Sequence, residues 1–186
     1  MKKILVLLLI LLSSSCVFSQ VRVDKFDEDG SRLIISKRKL IKASLKVGLT
    51  FRLTDYVEVN GADKYSLLLT IENHKKREYS KGRKLLIKMK DDSIIELINK
   101  KTVGVNDYHT GLSKFIDIDY SIQENDIEKI INGKIVKLRI ENDFDYIDVE
   151  IKKDLFETGL KEAYDAIQER KKIDKKIGNE GLYEGF

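Results

Sequence analysis

Leu45, Val47, Leu49, Phe51 and Leu53 alternate with Lys46, Gly48, Thr50 and Arg52. An extended chain spelled this way has one apolar face and one wet face, because successive side chains of a strand point to opposite sides. The chain must therefore build half-buried sheet. Tyr65, Leu67, Leu69 and Ile71 repeat the alternation after the turn pair Asn60-Gly61, so an antiparallel hairpin is the expected link. Residues 21–26 and 32–35 read as an earlier hairpin through Asp29-Gly30, followed by a basic connector from Ser36 to Lys42 to which the pattern assigns no state.

The same reasoning continues along the chain. With Asp91, Asp92 and Ser93 as a turn, Ile87 is expected opposite Leu97, Met89 opposite Ile95 and Lys88 opposite Glu96. Residues 101–112 carry glycine, asparagine and aspartate without periodicity and read as a loop. Ile116, Ile118 and Tyr120 alternate with Asp117 and Asp119 as a further strand. Ile127, Ile130 and Ile131 recur at helical spacing, which predicts a short helix near 124–132 with Gly133 as a left-handed cap. Two capping-box offsets, Ser121 with Glu124 and Gln123 with Asp126, compete for its start.

A last hairpin follows. Val136, Leu138 and Ile140 are expected to share a buried face with Ile147 and Val149, with Arg139 opposite Asp148 and Lys137 opposite Glu150. Asp154 with Glu157 then opens a helix near 155–173, whose apolar face is Phe156, Leu160, Ala163, Tyr164 and Ile167. Residues 174–186 read as a polar, flexible tail. The expected fold is mainly β or α+β: an antiparallel β-sandwich or curled sheet built from hairpins, forming one domain over residues 20–173 and covered by the two helices.

Ahead of this domain, Met1-Lys2-Lys3 precedes the apolar run Ile4 to Leu12 and a stretch of small residues, the pattern of a secretory signal peptide over residues 1–19. The run has less than half of the roughly 20 residues a membrane-crossing helix requires, and no later segment is longer, so no transmembrane segment is expected. Val17 and Ser19 occupy the −3 and −1 places of a leader-peptidase site, which would leave Gln20 as the mature N-terminus. The alternative is lipidation of Cys16, preceded by Leu12-Ser13-Ser14-Ser15, although a lipobox has leucine where Ser13 stands. Cleavage after Ser19 is the preferred reading. It predicts a periplasmic or secreted protein, whereas a lipidated Cys16 would anchor it to a membrane.

Cys16 is the sole cysteine, so the mature chain would hold no disulfide, thiol nucleophile or cysteine metal site. Removing Lys2 and Lys3 from the 35 basic residues leaves them nearly balanced by 31 acids. Basic residues interleaved with acids, in an exported chain, argue against a nucleic-acid partner. The absence of tryptophan weakens a sugar-stacking platform, which would have to use tyrosine or phenylalanine.

The segments Phe26-Asp27-Glu28-Asp29-Gly30 with Leu33-Ile34-Ile35, Leu85 to Leu97, Tyr120 to Ile131 and Lys137-Leu138-Arg139-Ile140 resemble small exported proteins of uncharacterised function from Bacteroidota. The Ser19-Gln20 junction is similar to their cleavage sites. The resemblance covers most of the mature chain and implies export and a compact β-rich domain; its hairpin and cap motifs carry no active-site signature.

Constellations that could do chemistry are few. Asp27-Glu28-Asp29-Gly30 fails as a calcium loop, because with Gly30 at the sixth place Lys25 and Ser36 fall where acids are required. His74 and His109 are the only histidines, and neither has a second ligand at a recognised spacing. Ser113 follows His109 by four residues, but no nucleophile elbow surrounds any serine. Asp117 and Asp119 share a strand face without an assignable partner, so they are the expected site should the protein hydrolyse glycans or peptides. Arg170-Lys171-Lys172 and Lys175-Lys176 complement the dipole of the last helix. No cofactor or metal is expected. The leading expectation is a noncatalytic accessory or binding domain for an envelope protein or a small apolar ligand; the alternative is a small extracytoplasmic hydrolase.

Overall fold

The structure, a computed structural model, describes residues 20–42, 48–72, 77–104 and 115–179, with side chains to 172. Ten strands form one antiparallel sheet: β1 (Val21–Phe26), β2 (Arg32–Ser36), β3 (Lys39–Lys42), β4 (Gly48–Val57), β5 (Asp63–Glu72), β6 (Lys84–Met89), β7 (Ile94–Asn99), β8 (Phe115–Ser121), β9 (Ile135–Glu141) and β10 (Tyr146–Glu150). Helix α1 (Glu124–Asn132) follows β8, and α2 (Leu155–Asn179) follows β10. The spatial order is β1-β2-β4-β5-β8-β7-β6-β9-β10, with β3 also paired to β4. The fold is the expected curled sheet with one short and one C-terminal helix, and the sheet does not close on itself.

The alternation did its work in β4 and β5. They pair over their full length, from Gly48↔Glu72 to Val57↔Asp63, and send Leu49, Phe51, Leu53, Leu67, Leu69 and Ile71 into a core where none is exposed. The unassigned connector contains β3. β2 and β3 share one edge of β4, β2 beside Thr54 to Val57 and β3 beside Leu49 to Phe51. Where the edge breaks, Ser36 Oγ accepts the Leu53 N–H at 2.9 Å, which satisfies a buried donor that has lost its ladder partner.

The ladder thins at one place and is missing at another. β7 and β8 meet through the pairs Ile98↔Ser121 and Asn99↔Tyr120 alone. On the far side β3 and β10 face each other with no ladder between them, and Lys42 Nζ donates across the gap to the Glu150 carbonyl at 3.2 Å. Helix α2 lies over the inner face with Phe156, Leu160, Ala163 and Ile167 fully buried, and the Phe156 ring packs on Phe51 at 4.9 Å between centroids. Each large side chain buried in this way contributes roughly 1.5–3 kcal/mol. Gly159 permits the close approach, since a Cβ there would lie 3.2 Å from the Lys39 Cβ.

Several local expectations are corrected. The β6–β7 register is Ile87↔Ile95, Leu85↔Leu97 and Leu86↔Glu96, two residues tighter than charge pairing suggested. The turn starts at Met89, whose N–H bonds the Ser93 carbonyl, and Asp92 takes a left-handed φ of 66°. Gly133 is extended, not left-handed. Its bare Cα is needed because a Cβ would run into the Met89 methyl and lie 2.8 Å from the Lys129 carbonyl. At the start of α1, Gln123 is the N-cap without a side-chain capping bond.

An irregularity opposite Lys88 and Met89 puts Ile135 in the buried place expected for Val136, while Leu138, Ile140, Ile147 and Val149 are buried as expected. Arg139 opposes Asp148 and Lys137 opposes Glu150 in register, but the Lys137 ammonium pairs diagonally with Asp148. Glu157 forms no capping box; it is buried and accepts the Ile135 N–H at 2.7 Å. Helix α2 continues past residue 173 to Asn179.

Candidate functional site

Charges occupy the inner face of this sheet at one end. Asp55 continues the inward row of Leu49, Phe51 and Leu53 and is fully buried. Tyr65 begins the inward row of Leu67 and Leu69. Over them lies Lys171, which falls on the α2 stripe one turn beyond Ile167. Its ammonium is 3.1 Å from Asp55 Oδ2, 2.6 Å from Asp63 Oδ2 and 3.4 Å from the Tyr65 hydroxyl, to which Gln168 Nε2 donates at 2.8 Å. Next to this cluster, Asp24 receives Arg32 through two bonds of 2.8 and 2.9 Å and also pairs with Arg170. The basic end of α2 is thus a clamp on acids of β1, β4 and β5.

The electrostatics follow from burial. Loss of water pushes the Asp55 carboxyl above its ordinary range, against the lowering effect of Lys171, and Asp55 Oδ1 has no hydrogen-bond partner. Burial, with the negative field of Asp55, likewise raises the Tyr65 phenol. Burial opposes the charge on Lys171, but the hydrogen bonds it donates to Asp63 and Asp55 prevail and its pKa rises. Burial would raise Asp24 too, yet the bonds from Arg32 and Arg170 leave it lowered.

A cleft of about 410 Å³ opens beside the cluster, lined in part by Asp63, Tyr65, Lys100, Ser121, Gln123 and Glu124. Tyr164 of α2 donates to Glu124 at its rim. The cleft can hydrogen-bond a polar ligand, but Asp55 is not part of its lining: that carboxyl is fully buried beneath Lys171. A second cleft of about 400 Å³ lies in the seam between β3 and β10, with Leu40, Ile41, Ile151 and Leu155 as its apolar floor and Lys42, Lys152 and Lys153 around it. A third, of about 960 Å³, separates the end of α1 from the β6–β7 turn; every charged side chain that lines it is exposed.

Asp117 and Asp119 do share the outer face of β8, and they line none of these three clefts. Thr70 Oγ1 donates to Asp117. Asp119 Oδ2 is 3.7 Å from Lys100 Nζ, and its Oδ1 is buried without a partner. Burial, together with Arg38 and Arg22, lowers the pKa of nearby Arg52, and Asp117 opposes that shift. Asp27 to Gly30 form a β-turn: the Gly30 N–H bonds the Asp27 carbonyl, and Asp29 Oδ1 accepts both the N–H and hydroxyl of Ser31. Gln20 accepts the Lys37 N–H at 2.7 Å through its carbonyl. Cys16, Ser19, His74, His109 and Ser113 lie outside the described residues. Among the described residues no group of three histidine, cysteine, aspartate or glutamate side chains could hold a metal ion, and no helix is long and apolar enough to cross a membrane.

Sequence reading missed the Asp55–Lys171 pair, although its signal was present. Both residues carry a charge on the apolar parity of their own element, a position that demands a partner. No family model matches the chain, and no curated protein or solved structure matches it significantly.

Proposed function

We propose that the protein is a noncatalytic exported binding domain, acting in the periplasm or outside the cell on an envelope polypeptide or a small apolar ligand. The observation that carries this reading is the state of the acids. Asp55, the carboxyl that burial raises, is sealed under α2, and the pair a hydrolase would use, Asp117 and Asp119, lies on an outer sheet face away from the lining of the clefts. Catalysis needs an acid and a base that converge on a substrate. An apolar floor ringed by lysines, as in the seam, suits recognition.

The competing hydrolase is tested by assaying the wild type and the Asp117→Asn/Asp119→Asn double variant on peptidoglycan, polysaccharide and peptide panels. The binding reading expects no turnover from either. Turnover lost in the double variant at an unchanged unfolding midpoint would replace it. Export is tested by the intact mass of the secreted form, expected to begin at Gln20; a diacylglyceryl group on Cys16 would place the protein on a membrane instead.

A further inference from the structure

We propose that the outer edge of β10 is a strand-addition site for an extended segment of a partner polypeptide whose acidic end meets Lys42, Lys152 and Lys153. This deepens the binding reading and rests on it. The hairpin register decides which backbone groups are on offer. Asn142 N–H donates to the Asp145 carbonyl at 3.0 Å and Ile151 N–H to the Val136 carbonyl at 3.0 Å, with Ile147↔Ile140 and Val149↔Leu138 in the same phase between them. In an antiparallel ladder alternate residues turn both polar groups towards one neighbour. Those of Tyr146, Asp148 and Glu150 therefore face away from β9, where no strand of the described residues pairs with them. The Glu150 carbonyl is met there by Lys42.

The two ends of the sheet are guarded differently. β1 has a bulge between Val21 and Val23 and turns Asp24 into the ion cluster under α2, features that spoil an edge for pairing. β10 has neither. Its five pairs to β9 are regular, Ile147 and Val149 point inward, and the outward Asp148 is neutralised by Arg139 and Lys137. Phe144, 80% exposed, stands at the hairpin tip.

The seam states what the occupant must be. Its apolar floor takes the alternate side chains of an extended segment. Lys42, Lys152 and Lys153 have no carboxylate partner among the described residues and outnumber the one acid lining the seam, Glu150. Charge complementarity then calls for acids on the partner. A second copy fits less well, because the acids its hairpin would bring are already held: Asp148 by Arg139 and Lys137, Asp143 by Arg83 and Asp145 by Arg77.

The test is a titration of the ¹⁵N-labelled mature protein with the peptide acetyl-Thr-Val-Thr-Val-Thr-Val-Glu-Glu. The expected result is saturable binding, with amide shifts larger at Tyr146, Asp148 and Glu150 than at Ile147 and Val149. Replacing the final glutamates by lysines, or N-methylating alternate peptide amides, should each weaken binding roughly tenfold or more. Asp148→Pro should do the same, since the N–H it removes faces outward and the β9 ladder stays intact. The N-methylated peptide keeps the test independent of how well that variant folds. Absence of saturable binding, or binding indifferent to N-methylation, would overturn the proposal. Dodecanoate shifting Leu40, Ile151 and Leu155 while the peptide does nothing would assign the seam to an acyl ligand; a dimer abolished by Asp148→Pro without peptide binding would assign the edge to a second copy. Either result overturns the peptide and leaves the binding domain standing, whereas turnover in the hydrolase assays would remove the binding reading itself.

Discussion

Lys171 is the residue on which buried Asp55 depends, because without it that carboxylate sits in the core with no counter-ion. Removing one partner of a buried pair typically costs about 3–5 kcal/mol, most of it the penalty of the charge left behind. Lys171→Met should therefore lower stability in urea unfolding by about that amount, and adding Asp55→Asn should restore a large part of it; additive losses would show that the two residues act separately. A second residue-scale effect concerns acid. The hydrogen bond from Arg139, with help from Lys137, holds the Asp148 carboxyl down to about 2 from an ordinary 3.8. A lowered pKa means stability present above the unfolded value and lost as pH falls through the folded one. The wild type should lose stability between roughly pH 4 and pH 2, and Asp148→Asn should shed up to about 1 kcal/mol less over that window, the figure being small because the pair faces solvent. Asp55 runs the other way: its raised pKa favours the fold at low pH and ceases to do so as pH rises, so it cannot be the source of an acid transition.

At the scale of single elements, the break between β2 and β3 is the point most open to test. Ser36→Ala leaves the Leu53 N–H buried without a partner, a loss of about 1–3 kcal/mol. Equilibrium unfolding of Ser36→Ala should show it, and an unchanged midpoint would mean that the N–H finds another acceptor. The long hairpins were legible because alternation and Asn60-Gly61 or Asp29-Gly30 turns agree on one register. β3 was not, since Lys39-Leu40-Ile41-Lys42 is too short to display a period. The β6–β7 register escaped charge logic for a specific reason: Lys84 and Lys88 both carry a cation that could meet Glu96, and the left-handed turn at Asp92 selects Lys84, whose ammonium lies 2.7 Å from Glu96 Oε2. For the candidate site, parity exposed Asp55 and Lys171 one by one. What sequence could not supply was their meeting across 116 positions, which depends on how α2 crosses the curled sheet.

For the molecule as a whole, the decisive property is a curled antiparallel sheet that does not close on itself. β7 joins β8 through two pairs, and α2 lies over the inner face with Phe156, Leu160, Ala163 and Ile167 buried. Closure fails at β3 and β10, which leaves apolar side chains, lysines and, among the described residues, backbone without a ladder partner together in the seam. That opening is the proposed binding feature, and amide hydrogen exchange of the ligand-free protein tests it most directly. Ile147 and Val149, bonded to β9, should exchange slowly, while Tyr146, Asp148 and Glu150, which alternate with them, should exchange near the rate of an unprotected amide. Protection of all five alike would mean that the β10 edge is already covered, and would contradict the account.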